Sequence, residues 1–322
     1  MAARGRFRLA LLVTTLLLLI SACSTPVRIN HVQFIGSHNS YKQALTPEFA
    51  SALAQRNPGA AAALDYAHVA IDAQLDLGLR KLEIDLFNSP DFAVGHVQQI
   101  DMVSHCATLA LCLRQVRDWS DAHPGHVPIW ISFNLKDSAI EGLPKPAPFD
   151  APAMTRMDRV IEQAVGDRLI RPADTVNRRW PTLASARGKL LLILDEGGAK
   201  QKLYETRWQT RPLHMNVAPE HPAAGIMIIN DPIANRTRIA ERVAAGYLVR
   251  TRADADTQEA RSGSTARREA ALNSGAQAIS TDYYLPDARF GTGYQVRLQP
   301  PVRCNPVSAP PQCAAELSAQ PN

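Results

Sequence analysis

Two histidines, an asparagine and a pair of carboxylates occur in the order His38-Asn39, Glu83-x-Asp85 and His96, each at the C-terminal end of a short apolar run. Cleaving a phosphodiester takes a group that removes a proton from the attacking hydroxyl, a cation that offsets charge on the non-bridging oxygens, and an acid that protonates the departing oxygen. Two imidazoles and a divalent ion meet those needs. Glu83 and Asp85 stand two apart in an extended run, so their side chains share a face and can grip one ion. Hard carboxylate and amide oxygens favour calcium or magnesium over zinc. An E-x-D pair alone more often marks a solvated strand edge. The pair and the two histidines together, at three successive run ends, are what point to a single site.

These runs are 32–35, 81–86 and 93–97, and five more follow at 127–133, 189–194, 225–229, 246–251 and 276–281. Most are continuously apolar, as strands buried on both faces are. Helical patterns fall between them at 66–77, 107–121, 153–165, 234–245 and 254–273. Eight strands with intervening helices predict an α/β fold of the TIM-type (β/α)8 kind, in which the C-terminal ends of the strands converge on one face. The link 87–92 is too short for a helix, so the expected barrel is irregular. Residues 60–63 read as a helix-like insert and the proline-rich 143–152 as a linker loop.

The chain has 322 residues, 46% hydrophobic and 20% charged, which suits one catalytic domain and argues against disorder. Arg4, Arg6 and Arg8 precede a charge-free apolar stretch over 9–20, then Ser21-Ala22-Cys23. This reads as an export leader, too short for a comfortable membrane span. Ile20-Ser21-Ala22-Cys23 resembles a bacterial lipobox, which implies lipidation of Cys23, and Ser24 resembles the outer-membrane sorting pattern. A plain secretory signal is the alternative. The expected organisation is a lipoprotein leader over 1–22, a tether over 23–29, the barrel over 30–298 and an extension over 299–322.

Cys23 would otherwise be the odd cysteine of five. Export permits disulfides, and the other four cysteines fall into the close pairs Cys106 with Cys112 and Cys304 with Cys313, although other connectivities are open. The second pair would staple the C-terminal extension. Three positive charges of the formal +5 lie in the leader, leaving +2 without it, and the arginines are scattered. That is no nucleic-acid footprint; an anionic partner would be held by one pocket.

Several segments resemble the bacterial calcium-dependent phosphatidylinositol-specific phospholipase C-like proteins. Gly36-Ser37-His38-Asn39-Ser40-Tyr41 looks like the opening motif and 74–85 like the metal segment. The stretch from His96 through Asp101, Cys106, Cys112 and 123–128 is similar to the next part, and 250–257 and 280–283 to the last strands. The resemblance covers about residues 30–290. It implies calcium, or magnesium as a substitute, held by Asn39, Glu83, Asp85 and a group on the run that starts at 127. It also implies His38 hydrogen-bonding the phosphorus centre and His96 protonating the diacylglycerol oxygen. The inositol 2-hydroxyl would attack first, giving a cyclic phosphate, with Glu83 or Asp85 as base.

One departure stands out. Where the family carries a pattern like Glu-x-Lys-Asp, this chain has Asn134-Leu135-Lys136-Asp137, so the fourth ligand would be Asn134 and the site loses a negative charge. Lys136 would then face the phosphate or inositol. Asp195 and Asn230 end runs and are expected to meet substrate hydroxyls, and Tyr283 or Tyr284 to stack on the sugar ring. Arg250 and Arg252 share a face only if their strand runs past Thr251; Arg250 is the nearer. His105, His123 and His126 are expected to be structural or exposed. The expected partner is phospholipid at a membrane surface, and the sequence leaves the oligomeric state open. Two alternatives stay open: a related phosphodiesterase on glycerophosphodiesters or sphingolipids, and a catalytically weak lipid-binding surface lipoprotein.

Overall fold

The computed structural model describes residues 25–319; the leader and Cys23 lie outside the described residues. Eight strands run parallel: β1 (Val32–Ser37), β2 (Lys81–Leu86), β3 (Ile129–Leu135), β4 (Leu190–Leu194), β5 (His214–Met215), β6 (Ile226–Ile228), β7 (Leu248–Arg252) and β8 (Ala278–Thr281). Their order is β5-β4-β3-β2-β1-β8-β7-β6, so the barrel is nearly closed, with its seam between β5 and β6. A ninth strand, β9 (Val302–Cys304), lies antiparallel on β1, pairing Val32 with Cys304 and Phe34 with Val302. The C-terminal extension is thus woven into the sheet, and both disulfides form as paired in the sequence, Cys106–Cys112 and Cys304–Cys313.

Seven of the eight expected runs are barrel strands. The run 93–97 is not: Val94 bridges back to Leu86 and Ala93 to Thr108, both antiparallel, in a loop outside the barrel. The missing strand is β5, only two residues long and so invisible as a run. The helix expected at 66–77 shortens to Ile71–Asp76, and that at 254–273 divides into Gln258–Ser262 and Ala266–Asn273, parted at Gly263, whose φ of 72° ends the first. Helices Leu109–Ala122, Ala151–Val165 and Arg236–Ala244 lie where periodicity placed them. Ala60 to Ala63 belongs to the helix Pro58–Ala63, and 143–150 is a loop.

Alternation along each strand divides the core in two. Outward residues such as Leu82, Ile84, Ile131, Phe133 and Leu192 pack on Leu113, Val116, Met157 and Ile161 of the surrounding helices. Inward residues near the strand starts, Val32, Phe34, Trp130, Leu191, Leu248 and Ala278, fill the barrel floor together with Val27, Ile29 and Trp180. Further along the strands the inward positions turn polar: Lys81, Glu83 and Asp85 on β2, Arg250 on β7, Ser280 on β8, all buried. Gly36 is where β1 must approach closely, since a Cβ there would stand 2.0 Å from the carbonyl oxygen of Lys81.

Candidate active site

At the C-terminal ends of the strands the expected residues do gather. The 37–40 turn that carries His38 and Asn39 is stitched to β2: Ser40 accepts from the Glu83 amide at 2.7 Å, and its own amide donates to the Glu83 carbonyl at 2.9 Å. Fully buried Gln74 donates to the Ser40 carbonyl at 2.7 Å and accepts from the Ser37 hydroxyl at 2.6 Å. Asn39 itself adopts φ 45°, which asparagine tolerates better than most residues. His96 arrives on the loop that follows β2. Its amide donates to the Asp101 carbonyl, and buried Lys42 grips both carboxylate oxygens of Asp101 at 2.8 Å, tying the two histidine loops together.

The rings of His38 and His96 lie 6.5 Å apart, centroid to centroid, edge to face. His38 Nδ1 is 2.9 Å from Asp282 Oδ1, and His96 Nδ1 is 2.9 Å from Asp85 Oδ2. A carboxylate can only accept, so each Nδ1 donates and each Nε2 remains for chemistry. His38 Nε2 stands 3.6 Å from Glu83 Oε1. Burial, then the charge of Arg252, push His38 below the usual imidazole range against the pull of Asp282 and Glu83. His68 donates from Nε2 to the His38 carbonyl at 2.7 Å, and burial pushes it down to about 4.

Glu83 carries the densest set of cations. Lys81 Nζ bonds Oε2, and Arg250 donates to the same oxygen at 2.7 Å. Burial works to raise the Glu83 carboxyl, but Lys81, Arg250 and His38 together hold it well below the usual range. Burial likewise opposes Asp85, whose carboxyl is lowered by Lys136, 2.8 Å from Oδ2, and by His96. Lys136 therefore meets the mouth of the site as the ion-pair partner of Asp85. Asn134 sits between the acids, its amide nitrogen 3.1 Å from Glu83 Oε1 and 3.2 Å from Asp85 Oδ1.

The donor set fits a hard cation. Asn39 donates to Tyr66 Oη at 2.8 Å, while its buried Oδ1 has no hydrogen-bond partner. Asn134, turned about its last bond, would place an oxygen where its amide nitrogen now lies between two carboxylate oxygens. Asn39, Glu83, Asp85 and Asn134 would thus supply oxygens alone, as calcium or magnesium prefers. Only two of the four are charged, and among the described residues no cluster of three or more His, Cys, Asp or Glu side chains forms a metal cage.

The remaining expectations divide. β7 runs past Thr251, so Arg250 and Arg252 share the inner face: Arg250 bonds Glu83 and Asn230 Oδ1, and Arg252 is 3.3 Å from Asp282 Oδ2. Asn230 is thus engaged by an arginine through its side chain. Asp195 follows β4, and burial, offset in part by Arg250, pushes its carboxyl up to about 6. Tyr283 is a correction: it is 2% exposed and packed edge to face on Phe290 and Tyr294, so its ring offers no stacking face. Tyr284 is equally buried and stacks on His68. His105 holds the His68 carbonyl, His123 stacks on Trp119, and buried His126 pairs with Ser120, all structural roles.

Sequence reasoning assigned no role to Asp282, Lys81 or Tyr66. The signal for the first two is the period of two: Lys81-x-Glu83-x-Asp85 and Ser280-x-Asp282 put successive polar groups on one face.

The family model for Ca2+-dependent phosphoinositide phospholipase C matches residues 27–91 and 87–306, most of the chain. The chain belongs to this family. It is accordingly a phosphodiesterase of the phospholipase C type. Its fold is similar to the apo form of a calcium-dependent phosphoinositol-specific phospholipase C from a Pseudomonas species. The TM-score is 0.56 at 16% identity over 86% of this chain and 95% of that one. It is also similar to a Ca2+-dependent phosphatidylinositol-specific phospholipase C from Streptomyces antibioticus (0.54, 17%, 80% and 95%) and to the phosphatidylinositol-specific phospholipase C of Listeria monocytogenes (0.54, 12%, 84% and 93%). No curated protein gives a significant match in sequence.

Proposed function

We propose that this phospholipase C cleaves phosphatidylinositol-type lipids, with His38 and His96 acting from the two sides of the phosphodiester. The observation that carries this reading is their 6.5 Å ring separation beside the Glu83–Asp85 pair, each imidazole backed by its own carboxylate. His38, with Nδ1 committed to Asp282, takes the proton of the inositol 2-hydroxyl on Nε2 as that oxygen attacks phosphorus. His96, oriented by Asp85, delivers a proton to the diacylglycerol oxygen as its bond to phosphorus breaks. Glu83 and Asp85 are poor bases because three cations pair with them, so the role expected of a carboxylate passes to His38. Asn39, Glu83, Asp85 and Asn134 would hold calcium, which would supply positive charge to offset the negative charge building on the phosphoryl oxygens. The resulting cyclic inositol phosphate is opened by water with the histidine roles reversed.

Phosphorus NMR on phosphatidylinositol with calcium or with chelator tests this. A cyclic phosphate formed only with calcium supports it. Turnover of glycerophosphodiesters or sphingomyelin alone would move the substrate class, and no product under any divalent ion would leave a lipid-binding surface protein.

The same reading locates the enzyme outside the cytoplasm, where its two disulfides are stable, tethered through lipidated Cys23 to the outer membrane. Mass spectrometry of the protein and of Cys23→Ser checks the tether: the reading requires an acyl mass on the first only.

A further inference from the structure

Outside the catalytic mouth, the helix Ala151–Val165 and the helix Gly198–Glu205 with its following turn border a cavity of about 630 Å³ on the barrel wall. Four arginines line it: Arg156, Arg159, Arg207 and Arg211. Two of them are held in place. Arg211 is only 6% exposed, lies over the Tyr204 ring and pairs with Asp158 at 2.7 Å, yet its buried Nε has no partner. Arg156 lies over the Phe92 ring and donates to Asn88 Oδ1 at 2.5 Å, and its Nε is likewise buried and unmatched. Among the described residues, the side chains of Arg159 and Arg207 make no ion pair or hydrogen bond. Among the described residues, Asp158 is the one carboxylate paired with any of the four. Like charges gathered round one cavity repel, and guanidinium groups match the geometry of phosphate oxygens, often two at a time. Pro152 and Leu203 add an apolar wall, and the volume lies in the range of small-ligand sites.

We infer that this cavity is a second anion site, which takes a phosphate monoester dianion independently of the catalytic centre. That dianion has two sources: a soluble phosphate, or the headgroup of an anionic lipid such as phosphatidic acid. Arg156 and Arg211 pre-shape the back of the site, and Arg159 and Arg207 close on the ligand from the exposed side.

The test compares the protein with Arg159→Ala/Arg207→Ala, whose two side chains are exposed. Calorimetry with inorganic phosphate forms one arm. Sedimentation with phosphatidylcholine vesicles, with and without phosphatidic acid, forms the other. Loss of two charge-assisted contacts weakens binding by about tenfold per arginine, and added salt weakens it further. An arginine-dependent loss in the first arm alone assigns a soluble phosphate; a loss of phosphatidic-acid-dependent sedimentation assigns the lipid headgroup. Turnover of a soluble substrate stays at the parent level in both cases. Arg159→Glu/Arg207→Glu should abolish whichever binding is seen. Phosphate and vesicle binding that are absent, or that are unchanged by both double variants, overturn the site.

Discussion

Asp282 backs His38 as Asp85 backs His96, each carboxylate oxygen 2.9 Å from Nδ1 of its imidazole. The two acids come from opposite neighbours of β1: Asp85 from β2, Asp282 from just past β8. One strand and its two flanks therefore orient both imidazoles, and His38 Nε2 stands 3.6 Å from Glu83 Oε1.

His38→Ala and His96→Ala are each expected to lower kcat by ~10²- to 10⁴-fold, the usual worth of a positioned acid or base. The double variant should be little worse than the poorer single one, because both act in one proton transfer sequence. Steady-state kinetics with calcium present decides it. Activity above a tenth of the parent in either single variant would remove that histidine from the mechanism.

Asn134→Glu restores a charge to the proposed cation site. Calcium should then bind about tenfold more tightly or better, since affinity follows the number of charged ligands. Calorimetry on the purified protein gives the answer, and an unchanged dissociation constant means that Asn134 is not a ligand.

Lys81→Met removes one buried partner of Glu83 and leaves Arg250 to offset that charge alone. A buried ion pair broken on one side costs about 3–5 kcal/mol. Urea unfolding should show the loss as a lower midpoint with little change in slope. A shift under ~1 kcal/mol would mean that water reaches Glu83 far more readily than its 3% exposure implies.

Asp254 is fully buried, and burial followed by the nearby charge of Asp282 pushes its carboxyl up to about 7. The folded state thus holds a proton that the unfolded chain releases near pH 4. Stability from this group falls as pH rises from about 4 to about 7, because over that window the native state binds more protons. Asp254→Asn mimics the protonated acid, so its melting temperature should decline less across the same window. Parallel curves for parent and variant would contradict the assignment.

Much of this was legible because buried parallel strands are written as continuous apolar runs: 81–86 is β2 unchanged, and 189–194 and 276–281 shorten only at their starts. What failed, failed for physical reasons. The segment 93–97 has the composition of a strand but follows β2 too closely to return to the barrel, so it folds back on Leu86 and delivers His96 from a loop. His214–Met215 is a barrel strand made by register with Ile193 and Leu194, not by its own two residues. At the site, the residue types that do chemistry were visible, but which groups neutralise them was not. Lys81 and Asp282 act through distances set by strand register. Arg252 turned on how far β7 extends past Thr251, which the run 246–251 does not reveal.

The pairing of β9 with the start of β1 has a directional consequence. It anchors both ends of the described residues at the floor of the barrel, where Gln312 reaches the Thr25 carbonyl, roughly 20 Å below the histidines along β1. Under the lipidation proposed for Cys23, the membrane would lie on the floor side of the barrel and the catalytic mouth would open on the far side.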